Sequence, residues 1–254
     1  MLDFRILGPF EVVEGQRAVA LGAPKERALL AILVLRRGEV VSSDRLIDQL
    51  WGERPPATAA KTLQGYVSHL RKALSNEVLL TRGGGYVLAA EPGQVDAVRF
   101  EVLVTDARHA LANSDAAGAR ELLGSALELW RGEALADLAY EPFAQAEITR
   151  LEGARLAALE DRIEVDLIRG QHRALVGELE SLVARHPHRE RLRGQLMLAL
   201  YRSGRQADAL EVYRRGRQAL DDELGLDPGP ELRAIEQRIL DHDPTLDQAR
   251  AAAT

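Results

Sequence analysis

The chain contains no cysteine. Disulfides and thiolate metal sites are therefore excluded, and the composition suits a reducing compartment. Aromatic residues make up only 4% of the 254 residues, so Leu, Ala and Val must fill most of any core. No run of ~18 apolar residues occurs, and no membrane-spanning segment is expected. The opening "MLDFRILGPF" lacks a basic region followed by an apolar run, so no signal peptide is read and a cytoplasmic, nucleoid-associated location is expected. Lysine is scarce as well: Lys25, Lys61 and Lys72 are the only three among 33 cationic residues.

Signatures of chemistry are also missing. The only Lys-Thr or Lys-Ser pair, Lys61-Thr62, follows "PPATAA" rather than a glycine-rich phosphate-binding loop. No Gly-x-Ser-x-Gly elbow is present. The six histidines are scattered, and the closest pair, His186 and His188, has no evident third ligand. Carboxylates such as Glu160 and Glu164 lie among arginines at helical spacing, the pattern of a solvated helix surface. No catalytic residue, metal site or cofactor is predicted, and the chain is not read as an enzyme.

What is present divides in two. The net charge is −6, yet residues 1–90 hold 12 Lys+Arg against 9 Asp+Glu, whereas the remainder holds 21 against 30. The N-terminal excess is confined to residues 57–90, where Lys61, Arg71, Lys72 and Arg82 face only Glu77. Such a patch on a mildly acidic chain suits a polyanion, although charge alone favours a solvated helix face.

Residues 1–90 read as short strands and three helices closed by a hairpin. "FRILGPFEVVEG" and "QRAVALG" alternate as strands around Gly15. "PKERALLAILVLRRG" is a helix with Pro24 in its first turn, Gly38 at its stop and Leu29, Leu30, Leu33 and Val34 as its apolar stripe. "VVSSDRLIDQLWG" is a short strand and a second helix, capped by Ser42 or Ser43 and burying Leu46, Ile47, Leu50 and Trp51. The rigid "ERPPA" link leads to a third helix, about 57–74. "VLLTRGGGYVLA" is a hairpin whose glycines allow the positive φ of a tight turn. The order is that of a winged helix-turn-helix, with the third helix as reader and the hairpin as wing.

On a helical wheel of about 100° per residue, Leu63 shares a core face with Ala59, Ala60, Tyr66, Val67, Leu70 and Leu74. Lys61, Gly65, Ser68 and Lys72 centre the opposite face, flanked by Thr58, Thr62, Gln64 and His69. That face carries no carboxylate. A major groove accepts such a helix, and Gly65 at its centre allows close approach; as a packing residue alone it would cost about 1 kcal/mol relative to alanine. Tyr66, Tyr86, Trp51 and Trp130 read as packing residues.

"TLQGYVSHLRKAL" followed by "LLTRGGGYVL" resembles the OmpR-type winged helix. With "LGPFEV", "PKERALLAILVLRRGEVVSSDRLIDQLWGERPP" and "DELGLDPGPELRAIEQRIL", the chain from about Leu2 to Asp243 resembles the Streptomyces antibiotic regulatory protein family and its bacterial transcriptional activation domain. The resemblance implies an activator of secondary-metabolite genes that binds tandem direct repeats in double-stranded promoter DNA as a homodimer and contacts RNA polymerase holoenzyme with its sigma factor. By position it assigns Thr62, Gln64, Gly65, Ser68, His69, Arg71 and Lys72 to the recognition helix, with Lys61 beside them, and Arg82 and Gly83 to the wing. Larger members append further domains that are absent here, so the chain is read as a small member or a piece of a larger one.

Beyond "AAEPGQVDAVRF" the sequence is helical. Gly170 and Gly204 are 34 residues apart, the tetratricopeptide period. Ala209, Tyr213 and Gly216 follow the second glycine, and Leu175, Leu179 and Leu182 the first. A third, looser unit has Ala119, Leu123 and Ala126 at the same offsets. The expected architecture is an α+β winged helix-turn-helix domain over 1–90, a linker over 91–98, an all-α tetratricopeptide-like helical-repeat domain over 99–243 and a loose tail over 244–254. The rival reading is a helical-repeat interaction scaffold whose winged helix binds protein rather than DNA.

Overall fold

The structure, a computed structural model, describes residues 1–247. Two compact units emerge: Met1–Val104 with Ser125–Arg155, and Thr105–Gly124 with the described residues from Leu156 onward.

The first unit opens with strands β1 (Leu2–Arg5), β2 (Glu11–Glu14) and β3 (Arg17–Ala18), an antiparallel sheet in that order. Phe4 lies opposite Val12 in the register, and both are fully buried. Helix α1 (Pro24–Leu35) follows, and its expected stripe of Leu29, Leu30, Leu33 and Val34 is buried. Strand β4 (Val41–Ser42) runs into α2 (Ser43–Trp51), with Ser42 as N-cap: its hydroxyl accepts from the Arg45 amide. Leu46 and Leu50 are buried, while Ile47 and Trp51 are only half-buried. Trp51 stacks on Tyr66, with ring centroids 6.2 Å apart.

Helix α3 spans Ala59–Leu74. It begins two residues later than expected, because Pro55 and Pro56 precede a turn closed by the Ala59 amide on the Pro56 carbonyl. Strands β5 (Leu79–Arg82) and β6 (Gly85–Leu88) form the hairpin, and β4 adds to the outer side of β6. Gly83 and Gly84 both have positive φ, as a two-residue turn of this hand requires. Gly85 is needed for a different reason: a Cβ there would lie 2.2 Å from the Val41 carbonyl oxygen across the β4–β6 pair.

Residues 91–98, expected as a linker, are held in the fold. Pro92–Gln94 form a 3-10 turn, Val95 bridges to Phe4, and helix α4 (Asp96–Ala112) begins on a buried aspartate. The Asp96 carboxylate accepts from the amides of Ile6 (2.8 Å), Leu7 (3.0 Å) and Ala97 (2.8 Å). Burial raises its pKa above the usual aspartate value, although those amide bonds pull the other way. Helices α5 (Ala116–Glu128) and α6 (Pro142–Ile168) come next. Trp130 packs edge-on against Phe100, with centroids 5.5 Å apart, beneath the Arg155 guanidinium.

The second unit is built on helical pairs. Helices α7 (His172–Arg185), α8 (Glu190–Arg202), α9 (Gln206–Leu224) and α10 (Pro230–Leu240) follow α6. Gly170 and Gly204 both have positive φ at the turns before α7 and α9. Ser114 takes the same left-handed conformation before α5, with φ +65. All nine residues at the repeated offsets, Ala119, Leu123, Ala126, Leu175, Leu179, Leu182, Ala209, Tyr213 and Gly216, are buried. Gly216 is small for a specific reason. Arg193, itself 5% exposed, lies over it and donates to the carbonyls of Pro187 (2.7 Å) and Val212 (3.2 Å), and a Cβ at Gly216 would meet its Cδ at 2.3 Å. The stretch expected as a loose tail begins with a 3-10 turn, Pro244–Leu246, whose Leu246 is buried in the core of this unit. The remainder, 248–254, lies outside the described residues. No helix among the described residues is long and apolar enough to cross a membrane.

Candidate nucleic-acid interface

Helix α3 divides as its sequence pattern predicts. Ala59, Leu63, Val67, Leu70 and Leu74 are buried. Ala60, expected on the core face, is exposed, and Tyr66 is half-buried against Trp51. Lys61, Gln64, Ser68 and Lys72 are exposed; Thr62 and Gly65 are half-buried. A Cβ built at Gly65 meets nothing within 4 Å. The glycine thus faces open space, and its lack of a side chain answers no packing constraint within the protein.

Lys61 and Lys72 form no ion pair among the described residues, and neither does Arg82 of the wing. Most arginines of the second unit behave differently. Arg189, for example, holds the buried Glu160 at 3.0 Å, and Arg191 holds Asp161 at 2.7 Å. Unpaired cations around a carboxylate-free helix face leave a positive surface whose natural counter-charge is external.

Both edges of α3 are fastened. Arg71, expected among the outward residues, is half-buried, with two donors committed to β5: Nε to the Leu79 carbonyl at 2.8 Å and Nη2 to Thr81 Oγ1 at 2.7 Å. On the opposite edge, His69 Nδ1 lies 2.8 Å from Glu26 Oε1 on α1. Thr62 is within 3.5 Å of the Thr58 hydroxyl, one turn earlier. The wing is anchored at its tip as well, where Ser43 Oγ donates to the Gly84 carbonyl at 3.0 Å. Arg82 and Gly83 therefore sit on a hairpin tied both to the start of α2 and to α3.

Two of these ties escaped the sequence. Glu26 reads as an ordinary acidic residue in a first helical turn, and nothing local announces His69 as its partner. Ser43 was one of two candidate caps; with Ser42 as the cap, the Ser43 hydroxyl is free to hold the wing.

These features define a winged helix-turn-helix protein with a reader helix braced on both sides, followed by a domain of helical pairs. Residues 16–88 match the family described as transcriptional regulatory protein, C terminal, and residues 95–240 match the bacterial transcriptional activator domain. The regulatory protein AfsR of Streptomyces coelicolor is 47% identical over 252 residues, covering 99% of this chain and 25% of that protein. DnrI of Streptomyces peucetius is 37% identical, covering 97% of this chain and 95% of its own. The chain thus spans about a quarter of AfsR and almost all of DnrI. The solved structure of Mycobacterium tuberculosis EmbR in complex with a low-affinity phosphopeptide superposes with a TM-score of 0.92 at 38% identity, over 97% of this chain and 68% of that one. The chain belongs to the Streptomyces antibiotic regulatory protein family.

Proposed function

We propose that the chain is a sequence-specific, DNA-binding transcriptional activator of secondary-metabolite genes. The observation that carries this reading is the outward face of α3. Lys61, Gly65, Ser68 and Lys72 form a strip free of carboxylates, the glycine opens onto empty space, and the lysines have no counter-charge among the described residues. Lys61, Ser68, Lys72 and Arg82 suit phosphates, and Gln64 suits a base edge, where a glutamine pairs bidentately with adenine. Thr62 and Gly83 complete the contact set, and His69 and Arg71 border it.

The names of the relatives extend the reading: AfsR and DnrI are named regulatory proteins, and RedD and EmbR transcriptional regulators. By family, two protomers bind tandem direct repeats in promoter DNA, and the DNA-bound protein recruits RNA polymerase holoenzyme with its sigma factor. Recruitment acts by raising the local concentration of polymerase at the promoter. The work is that of the cytoplasm and nucleoid.

Footprinting on the gene's own upstream regions, combined with a salt titration, tests this. A DNA reader protects a repeated site and loses affinity steeply with salt, because each neutralised phosphate releases counterions. A flat salt response with no preference for the repeat over random duplex would support the protein-binding scaffold instead.

A further inference from the structure

Glu26 is a buried carboxylate with an unusual partner. It sits in the first turn of α1, its side chain only 8% exposed, while the His69 side chain facing it is 64% exposed. Its second oxygen packs against Gly22, where a Cβ would lie 2.0 Å from Oε2. Among the described residues no lysine or arginine pairs with it. Among the described residues the His69 imidazole is thus the one side-chain donor serving this carboxylate.

That geometry fixes the ring. An ionised carboxylate only accepts hydrogen bonds, and leaving it unserved away from water is costly. The proton must therefore sit on Nδ1, between ring and carboxylate. In the neutral imidazole the lone pair is then on Nε2, on the ring edge that remains to solvent, beside the Lys61–Gly65–Ser68–Lys72 strip. An imidazole free to exchange tautomers offers a groove either a donor or an acceptor. A neutral ring held by Glu26 offers only an acceptor.

We infer that Glu26 is a positioning residue for base readout. It holds His69 in the Nδ1–H tautomer so that Nε2 accepts a hydrogen bond from an exocyclic amino group in the major groove, the N4 amine of cytosine or the N6 amine of adenine. The partner of this reader-helix histidine thereby comes from α1, 43 residues away in sequence. This inference rests on the DNA-reading role proposed above.

The test is selection from a random duplex library by the wild-type protein, His69→Ala, Glu26→Met, Glu26→Gln and the His69→Ala/Glu26→Met double variant. The wild type should enrich a site with one position preferring cytosine or adenine. His69→Ala and Glu26→Met should each lose about three- to tenfold preference at that position alone, the scale of one hydrogen bond. The double variant should lose no more than either single one. Glu26→Gln, whose amide oxygen still accepts from Nδ1–H, should retain part of the preference. An enriched site that is unchanged in the variants overturns the inference and leaves the DNA-reading role standing. A loss spread evenly over all positions also overturns it, because it marks a phosphate contact or a purely structural tie. Failure of the wild type to enrich any sequence overturns both. Should Glu26→Met not fold, the 15N shifts of the wild-type His69 ring decide the matter: a bare Nε2 with a proton on Nδ1 supports the assignment, and a proton on Nε2, whether or not Nδ1 also carries one, overturns it.

Discussion

Arg71 Nη2 donates to Thr81 Oγ1 at 2.7 Å while its Nε donates to the Leu79 carbonyl at 2.8 Å. One side chain of the reader helix thus holds two successive positions on one face of the wing's first strand. The clamp ties β5 to α3 at Thr81, the residue before Arg82.

Arg71→Ala should consequently act on DNA binding through the wing. The hydrogen bonds come from a charged donor, and their loss should destabilise the protein by about 1–2 kcal/mol. Thermal melting measures that change. The amides of Leu80–Arg82 should exchange faster with solvent, and affinity for all duplexes should fall together. Unaltered exchange in β5 would show that the clamp does not order the wing.

Gly65→Leu separates fold from function. A Cβ at this position meets nothing within 4 Å, so melting should change little; leucine is also the better helix former by up to about 1 kcal/mol. DNA binding should be lost, because a bulky group would stand in the groove-facing strip. A variant that binds duplex normally would place the DNA elsewhere.

Gln64 and Lys72 are both exposed on α3, but their chemistries predict different defects. Gln64→Ala should relax base preference at one position by about 1–3 kcal/mol if its pair is bidentate. Lys72→Ala should weaken binding to every sequence about equally and reduce the salt slope by about one unit. Competition binding with cognate and scrambled duplexes, repeated at several salt concentrations, distinguishes the two.

Asp243 makes the final turn acid-sensitive. Its hydrogen bonds with the Thr245 hydroxyl, the Arg238 guanidinium and the Thr245 amide hold its pKa at about 2, below the ordinary 3.8. A depressed carboxylate stabilises the folded form above the unfolded pKa and loses that contribution as pH falls through the folded one. The Pro244–Leu246 turn should therefore loosen between about pH 4 and pH 2. The Thr245 amide resonance reports this directly. Asp243→Asn, which cannot titrate, should remove the step. A step of the same size in that variant would assign it to another carboxylate.

Several elements are legible in the sequence because their causes are local. The 3.6-residue period placed Leu63, Val67, Leu70 and Leu74 on one face of α3 and Gly65 and Lys72 on the other. The glycine run predicted the tight wing turn, because positive φ is a property of the residue itself. The offsets after Gly170 and Gly204 likewise predicted buried positions in three helical pairs, even where serine replaces glycine at 114. The start of α3 and the exposure of Ala60 were less legible, since helix ends depend on the turn that precedes them.

The sequence by itself determined which segments become helices and strands, which face of the reader helix is apolar and which is cationic, and where the wing turns. Only the tertiary structure decided what borders that cationic face: that Arg71 turns to β5, that His69 turns to Glu26, and that Asp96 gathers the Ile6 and Leu7 amides from 90 and 89 residues away. Periodicity and backbone preference act within a few residues. A buried carboxylate finds its donor only after distant elements have packed, and no local pattern records which donor that will be.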